Sequence, residues 1–481
     1  MTPITFLWHD YETFGIDARK DRPAQFAAIR TDAELNPIGE PINILCQPAP
    51  DYLPDPASCL ITGITPQQCL EQGLPEVQFA QRIHAELSQP GTIGVGYNTI
   101  RFDDEFTRFL FWRNLIDPYG REWQNGCSRW DLLDVVRMTW ALRPQGIQWP
   151  EVDGKPSFRL ENLTAANGLE HTAAHDALSD VRATIALARL LRERQPKLFD
   201  FALRLRSKHA VAEELGFPAT QQQARPFLHV SGMIPTEYGC TALMWPLCNH
   251  PTNRNEILAW DLRHDPSELA ALDADTIRLR LFSRRDALPE GVQRLPISSI
   301  QLNRSPMVVR SWGALSDERA AQWQIDKERS LQHAVIARDL PDMSAIWEQV
   351  LQRPTSNESV DVDADLYGGF LGDGDRRKLE QLRILPPTQL AQDRSRFQDE
   401  RLAELLFRYR ARNYPDSLTP EEQAQWQEHC AARLLDGQDG ARSIDQLLAE
   451  LDQLQEQDLD ARGEAILMAL HDYAEQVASF D

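Results

Sequence analysis

Three apolar segments near the start of the chain restrict its fold most, because their spacing favours a sheet covered by helices. The segments ITFLWHDYE, QFAAIRTD and PINILCQP have the length and composition of strands. A fourth strand-like segment, TIGVGYN, runs into DDEFTRFLFWRNL, and the later stretches RWDLLDVVRMTWAL and DVRATIALARLLRER have the periodicity of amphipathic helices. Residues 1–196 are therefore predicted to form an α/β domain that ends near Pro196.

The rest of the chain changes character twice. Residues 197–348 begin with a basic helical stretch and continue with the β-like runs FLHVSGM, TALMWPL, EILAWDL and PISSIQL, which turn signals such as NHPTNRN separate. This pattern predicts a smaller β-rich domain with helices at its end. After a linker, residues 355–481 have helical patterns such as SIDQLLAELDQLQEQ and are predicted to form an α-helical domain.

Composition excludes several classes of protein. A chain of 481 residues with 42% hydrophobic and 25% charged residues is an ordinary globular protein of several domains. The first residues lack the pattern of a signal peptide, and no run approaches the roughly 18 apolar residues of a membrane span. The seven cysteines contain no CxxC pair, so they indicate neither a zinc site nor a disulfide framework. We expect a cytoplasmic protein with no membrane association.

The net charge of -22, from 50 basic and 72 acidic residues, at first argues against a nucleic-acid partner. The charge is unevenly distributed, however. Residues 411–481 contain four basic and 16 acidic residues, so this short segment carries more than half of the excess negative charge. Net charge is therefore a poor guide to the local surface of the rest of the chain.

Two acidic residues at the end of the first predicted strand form the first candidate site. Alternate residues of a strand share a face, so Asp10 and Glu12 would present two carboxylates side by side. Such a pair repels itself unless a cation lies between, and oxygen-only acidic sites suit Mg²⁺ or Mn²⁺. Taken alone, the motif is more often a solvated strand end.

Two further motifs contain acids at predicted helix starts. Asp103 follows Asn98 in the pattern Nx₃FD, and Asp180 follows His175 in the pattern Hx₄D. A histidine with a pKa of about 6.5 can accept a proton from water near neutral pH, and a neighbouring aspartate can bind metal. Each motif alone is explained as well by helix capping, since acids are favoured at helix N-termini.

The combination of these motifs is more specific than any one of them. A strand DxE, then Nx₃FD, then Hx₄D, in this order in an α/β unit, resembles the DEDD superfamily of 3′ to 5′ exonucleases, in its histidine-bearing branch. The segments HDYETFG, DRPAQFAAIRTD, LITGITPQ, SRWDLLDV, PSFRLENLTAANGLEH and, beyond the first domain, HVSGM, LYGGF and FRYRARNYP resemble the bacterial exodeoxyribonuclease I family. The resemblance covers nearly the whole chain.

The resemblance implies a fold, an activity and a cofactor. It implies a ribonuclease H-like exonuclease domain with a mixed sheet, then an SH3-like β-rich domain and an α-helical domain. The implied activity is 3′ to 5′ hydrolysis of single-stranded DNA to 5′-mononucleotides, in DNA repair and recombination. Two Mg²⁺ ions, or Mn²⁺, would be bound by Asp10, Glu12, Asp103 and Asp180, with His175 as the general base. We expect Asp10→Ala to abolish hydrolysis without unfolding the protein.

The same resemblance implies residues that contact the substrate. These are Glu12, Arg108, Tyr119, Trp123, Arg137, Arg159, Lys208, Asn255 and Asn303. From local sequence alone, the arginines could equally form surface ion pairs, and Tyr119 and Trp123 could be core aromatics rather than residues that stack on bases. Phe201 departs from the family, in which a tyrosine is expected.

Other interpretations and partners stay open at this stage. The chain could be an exoribonuclease or a proofreading exonuclease of the same superfamily, or a non-catalytic DNA-binding scaffold. Related proteins bind the acidic C-terminal tail of single-stranded-DNA-binding protein, and Arg143 near Phe201 is a candidate for that pocket. We expect a monomer.

Two charged motifs outside the nuclease pattern are interpreted as structural. Arg408 and Arg412 are four residues apart in FRYRARNYP and could follow phosphates, but attaching the helical domain to its neighbours is favoured. Asp361, Asp363 and Asp365 resemble the start of an EF-hand loop, which would require glycine at Leu366. An acidic linker is the preferred interpretation of this segment.

Overall fold

The computed structural model describes residues 4–171, 176–216, 223–352, 360–393 and 396–478, in two compact units. The first unit comprises Met1–Ser128, His171–Ala183 and Glu358–Asp481. The second comprises Arg129–Glu170 and Thr184–Asn357. The three-domain division predicted from the sequence stays a prediction.

The strands of the described segments are short, and most lie in one of two sheets. In chain order they are β1 (Thr5–Thr13), β2 (Pro23–Thr31), β3 (Ile42–Leu45), β4 (Thr92–Gly96), β5 (Ser128–Asp131), β6 (Glu151–Val152), β7 (Lys155–Pro156), β8 (Phe227–Val230), β9 (Thr241–Asn249), β10 (Glu256–Asp261), β11 (Ile297–Gln301) and β12 (Met307–Val309).

The α-helices occupy the intervals between strands and most of the C-terminal region. They are α1 (Pro56–Thr62), α2 (Pro66–Gln72), α3 (Glu76–Leu87), α4 (Asp103–Arg113), α5 (Leu132–Leu142), α6 (Leu160–Ala166), α7 (Ala177–Arg194), α8 (Pro196–Arg204), α9 (Lys208–Leu215), α10 (Ala274–Phe282), α11 (Asp317–Gln322), α12 (Lys327–Arg338), α13 (Ser344–Val350), α14 (Asp373–Arg383), α15 (Pro387–Gln392), α16 (Arg401–Asn413), α17 (Pro420–Leu434), α18 (Ile444–Gln455) and α19 (Ala461–Ala478). Within the described ranges, no helix is long and apolar enough to cross a membrane.

The first unit is built on a mixed sheet in the order β3-β2-β1-β4. Strand β1 pairs antiparallel with β2 and parallel with β4, which confirms the predicted mixed sheet. Strands β1 and β2 are buried along almost their whole length because helices cover the sheet. A Cβ atom at Gly96 would lie 2.5 Å from the carbonyl oxygen of His9, so β4 requires glycine where it approaches β1.

Apolar side chains from the sheet and the helices form the core of the first unit. One cluster contains Leu7 and Phe26 from the sheet together with Phe79, Ile83 and Leu110 from α3 and α4. The predicted helical region is confirmed, and its helices take part in further apolar clusters. Helices α14 and α16 pack against α4, and α18 and α19 pack near α1 and α2.

A buried ion-pair network also joins the C-terminal helices to the rest of the first unit. Arg412 donates to Asp51 at 2.7 and 3.0 Å and to Asp363 at 2.9 Å. Arg408 donates to Asp363 at 3.2 Å and to Asp361 at 2.6 Å. The structural role expected for both arginines is confirmed. The acidic-linker interpretation is wrong for Asp363. This residue is 2% exposed, and the arginines beside it compensate the charge of its buried carboxylate.

The second unit contains an antiparallel sheet in the order β11-β10-β9-β8-β12, which confirms the prediction of a β-rich region. The register shifts between Leu258 and Ala259 of β10, where β9 has one extra residue, Leu247, as in a β-bulge. Strand β8 is buried throughout, and Trp245 and Trp260 from neighbouring strands are almost fully buried. Helices α10 and α13 pack against each other outside the sheet.

Candidate active site

The end of β1 presents two acidic side chains on one face of the mixed sheet. Asp10 is paired with Ala27 of β2 and Glu12 with Gln25, and the register shifts immediately after Glu12. Ligand atoms of Asp10, Glu12 and Asp180 all lie within 4.8 Å of one another. Strand alternation predicts the first pair, and the placement of α7 brings in Asp180 from its first turn.

Asp103 comes to the same place from the start of α4. The residue at the N-cap position is Phe102, so Asp103 is the first residue of the helix rather than its cap. Its Oδ1 accepts a hydrogen bond of 3.0 Å from the backbone amide of Tyr11, the residue between Asp10 and Glu12. Asp103 is 2% exposed, and this contact fixes the carboxylate beside the end of β1.

The proximity of these acids changes their protonation. Burial raises the pKa of Asp10 well above its usual range, and the charges of Asp103, Glu12 and Asp180 raise it further. Burial, together with the charges of Asp180 and Asp176, raises the pKa of Glu12 to about 8. Four carboxylates this close are unfavourable as bare anions, so the cluster has the character of a cation site.

The sequence between α6 and Asp180 contains two histidines, His171 and His175. His175, the predicted general base, lies outside the described residues. His171 was not singled out from the sequence, yet its Nε2 lies 2.5 Å from Oδ1 of Asp180. The His171 side chain is 7% exposed and that of Asp180 is 20% exposed. A second histidine in HTAAHDALSD was the only sequence signal for this contact.

The oxygen-only donor set limits the chemistry of the cluster. Asp10, Glu12, Asp103 and Asp180 offer carboxylate oxygens to hard divalent cations, and the described residues bring no cysteine into the group. Such a site suits Mg²⁺ or Mn²⁺. Two such ions can activate a water and stabilise a leaving oxygen in phosphodiester hydrolysis.

Arg108 lies on α4 near the acidic cluster but is already engaged. Its guanidinium forms two parallel bonds to Glu122, at 2.8 and 2.9 Å, and further bonds to Glu105 at 2.9 Å and to Tyr367 at 3.2 Å. Burial acts against its charge, but these partners raise the pKa of Arg108 well above its usual range. In this arrangement the guanidinium is satisfied by carboxylates rather than open to a phosphate.

An aromatic surface lies on the same unit. Trp123 is 65% exposed, and Tyr119 is half-buried with the Arg108 guanidinium 5.3 Å from its ring centre. Phe370, in the LYGGF segment, is 87% exposed, and its ring centre lies 6.0 Å from that of Tyr119. Solvent-exposed aromatic rings of this kind can stack on unpaired bases. The sequence alone did not single out Phe370, because the fold brings it beside Tyr119 from a position about 250 residues later.

The other predicted contact residues lie in the second unit, and its two arginines, Arg159 and Arg137, differ in how accessible they are. Arg159, just before α6, has a side chain that is 79% exposed, and its nearest acid, Glu161, is 4.0 Å away. Arg137 instead forms an ion pair of 2.7 Å with Asp134 and lies against Gly232. Arg159 is thus accessible to an anion, whereas Arg137 is largely covered.

Lys208 and Asn255 were predicted separately and lie together in the structure. The Nζ atom of Lys208 donates to Oδ1 of Asn255. Asn303 is exposed, and its backbone carbonyl accepts from Arg129 at 3.3 Å. Lys208 and Asn255 therefore form one polar pair on the surface of the second unit.

Arg143 and Phe201, which were predicted to lie near a peptide-binding pocket, each contact other groups of the second unit. Nη1 of Arg143 donates to the carbonyl oxygens of Leu142, at 2.6 Å, and Ala314, at 2.7 Å. Phe201 has the guanidinium of Arg204 above its ring, 5.2 Å from the centre. The contacts of Arg143 fix its head group on backbone carbonyls, so its role in a pocket stays a prediction.

Comparisons with known proteins match nearly the whole chain. Family models match the chain in three parts: an exonuclease model over residues 7–188, an exonuclease I SH3-like domain over 206–353, and an exonuclease I C-terminal domain over 360–477. Exodeoxyribonuclease I of Escherichia coli K12 is 44% identical, over 98% of each chain. These matches confirm the predicted SH3-like and exonuclease folds.

Solved structures give the same result. An exonuclease I from Methylocaldum szegediense, described as moderately thermophilic, superposes with a TM-score of 0.93 at 48% identity, covering 99% of this chain and 100% of that one. A zinc-bound complex of E. coli exonuclease I with single-stranded DNA superposes with a TM-score of 0.91 at 43% identity, over 99% and 100% of the two chains.

Proposed function

Because the chain belongs to the exonuclease I family, we propose that it degrades single-stranded DNA from the 3′ end and releases 5′-mononucleotides. The relatives support the substrate, since structures of the E. coli enzyme contain single-stranded oligonucleotides. The observation that carries the chemistry is the cluster of Asp10, Glu12 and Asp180, whose ligand atoms lie within 4.8 Å of one another. We place this reaction in DNA repair and recombination, in the cytoplasm.

The cluster's donor set fits divalent metal ions, and we infer that Mg²⁺ is the natural one, with Mn²⁺ as a substitute. Asp10, Glu12, Asp103 and Asp180 would bind two ions, which supply an activated water and stabilise the leaving 3′ oxygen. Glu12 would also contact the terminal nucleotide. The hydrogen bond from the Tyr11 amide holds the Asp103 carboxylate beside the end of β1.

His175 is proposed as the general base. It stands five residues before Asp180 in the sequence, and histidine is the side chain best suited to accept a proton near neutral pH. Its task is to remove the proton of the attacking water. The proposal rests on the family motif, because His175 lies outside the described residues.

Contacts with the DNA strand are proposed in each unit separately. In the first unit, Tyr119 and Trp123 would stack on bases, and the exposed ring of Phe370 extends that surface. In the second unit, exposed Arg159 suits a phosphate, while Lys208 and Asn255 offer one pair of polar groups and Asn303 a further polar side chain. Arg108 and Arg137 would have to exchange a carboxylate partner for phosphate, so we expect smaller contributions from them.

A single digestion experiment tests the proposed activity. Single-stranded DNA labelled separately at each end is digested with Mg²⁺ or with chelator, beside duplex DNA and RNA. We expect mononucleotides from the 3′ end of single-stranded DNA only, and only with metal. RNA cleavage at a similar rate would favour an exoribonuclease instead.

Variants connect that activity to the acidic cluster. Asp10→Ala should remove cleavage while the protein still binds the oligonucleotide, because it removes a metal ligand and not a base-stacking group. Asp286→Ala, at an exposed acid of the second unit, is the matched control and should cleave normally. Normal turnover by Asp10→Ala would refute the assignment of the site.

We also propose that the protein acts as a monomer and binds the acidic tail of single-stranded-DNA-binding protein. Arg143, Phe201 and the neighbouring Arg204 supply the cationic and apolar groups that such a tail requires. Titration with a peptide of that acidic, hydrophobic-ended kind should show binding that Arg143→Ala weakens. A titration without binding would remove this partner.

A further inference from the structure

His171 makes a close contact that the proposed catalytic roles do not use. Its Nε2 lies 2.5 Å from Oδ1 of Asp180, and its side chain is 7% exposed. The residue lies in the segment after α6, whereas Asp180 lies in the first turn of α7. The fold therefore brings an imidazole donor, nine residues away in sequence, against one oxygen of this carboxylate.

The neighbours of Asp180 explain why such a contact matters. Asp180 shares a cluster of ligand atoms with Asp10 and Glu12, and like charges at this distance repel one another. An unrestrained aspartate can rotate away from such neighbours at little cost. The contact restrains Oδ1 of Asp180 and so limits rotation of the carboxylate beside Asp10 and Glu12.

We propose that His171 is a positioning residue that holds the Asp180 carboxylate in the orientation needed to bind metal. This inference rests on the proposed metal-dependent function. A ring with a proton on Nε2 donates this bond whether its overall charge is zero or positive, so the role depends on geometry. Outer partners of this kind fix metal ligands in many proteins, and their loss typically lowers metal affinity about 10- to 100-fold.

The inference gives His171 a different task from that of His175. A general base changes the rate of proton transfer at any metal concentration, whereas a positioning residue changes how tightly metal binds. Two variants of His171 test the positioning role. His171→Ala removes the donor, and His171→Gln replaces it with an amide NH₂ that can reach a similar position.

The first measurement is calorimetric titration of the DNA-free protein with Mn²⁺. We expect His171→Ala to weaken binding about 10- to 100-fold and His171→Gln to recover most of that loss. His264→Ala, at an exposed histidine of the second unit, is the control and should bind as the wild type does. Unchanged affinity in His171→Ala would overturn the inference.

The second measurement is cleavage of end-labelled single-stranded DNA over a range of Mn²⁺ concentrations. For His171→Ala we expect a shift to higher metal concentrations, with a rate within about threefold of the wild type at saturation. A loss of rate that saturating metal leaves unchanged, with normal Mn²⁺ affinity, would show a proton-transfer role and overturn the inference. If the wild type neither binds Mn²⁺ nor cleaves DNA, the proposed function itself fails.

Discussion

Replacing Arg412 tests whether the buried ion network stabilises the first unit. The side chains of Arg412, Asp51 and Asp363 are 4%, 0% and 3% exposed. Arg412 forms two bonds with each aspartate, and its guanidinium lies 5.7 Å from the ring centre of Trp426. Arg412→Met retains most of the aliphatic volume but leaves two buried carboxylates without their shared cation.

The expected cost follows from the partners that remain. Removing one member of a buried ion pair typically costs about 3–5 kcal/mol. Asp51 would keep His429 at 3.3 Å and Arg433 at 3.7 Å, and Asp363 would keep Arg408 at 3.2 Å. Because each carboxylate retains a partner, we expect Arg412→Met to lower the free energy of unfolding by about 3 kcal/mol at neutral pH.

The effect should also depend on pH. Burial alone would raise the pKa of Asp51, but Arg412, His429 and Arg433 lower it well below its usual range, and Arg412 does the same for Asp363. A depressed pKa gives stability that is present above the unfolded pKa of about 4 and is lost as the pH falls toward the folded pKa. In Arg412→Met the buried carboxylates take up protons at higher pH, so the deficit should shrink from pH 7.5 to pH 4.5.

Urea denaturation followed by tryptophan fluorescence measures this deficit, with Trp426 as a nearby reporter. Arg377→Met is the matched control, because Arg377 is exposed and its Nε bonds only to a backbone carbonyl among its described contacts. The control should unfold within about 0.5 kcal/mol of the wild type. A loss below about 1 kcal/mol for Arg412→Met, or an equal deficit at both pH values, would refute the reasoning.

Three shorter predictions concern metal and DNA. Without metal, the wild-type melting temperature should fall as the pH rises from about 5 to about 8. The pKa of Glu12 is raised from 4.5 to about 8 in the folded state, so between these values the folded protein keeps a proton that the unfolded chain releases, and stability is lost until the pH reaches about 8. Glu12→Gln should remove much of this fall in scanning fluorimetry. Trp123→Ala should weaken oligonucleotide binding by about 1–3 kcal/mol in fluorescence anisotropy with chelator, unlike Met468→Ala, at another exposed apolar residue. Lys208→Gln should reduce the slope of log affinity against log salt by about 0.7, and an unchanged slope would exclude a phosphate contact.

Part of the candidate site follows from local sequence alone. The two-residue period of a strand places Asp10 and Glu12 on one face, and the helical pattern after Nx₃FD places Asp103 at the start of α4. Both features depend on a few neighbouring residues, so the sequence predicts them. The convergence of Asp180 on the same point depends on how α7 packs, and only the ordered set of family motifs indicated it.

The remaining contacts join residues that are distant in the chain, and the sequence around each residue does not predict them. Arg412 and Asp51 are 361 residues apart, and nothing near either residue identifies the other as its partner. The same holds for Phe370 beside Tyr119, and for the carboxylates that occupy Arg108. Local sequence predicts that charged side chains are exposed, because their burial depends on partners that distant segments supply.

These buried pairs also change what the net charge of -22 means for a DNA-binding protein. Arginines such as Arg113, Arg121 and Arg412 are almost fully buried beside acids, so they cannot meet phosphates even though they count toward the basic total. Exposed cations such as Arg159 and Lys208 would contact the strand instead. At the acidic cluster, the local charge remains repulsive to phosphate until divalent ions bind. Affinity for DNA should therefore come from stacking and a few individual cations. The bound metal ions would allow the scissile phosphate to approach the acidic cluster.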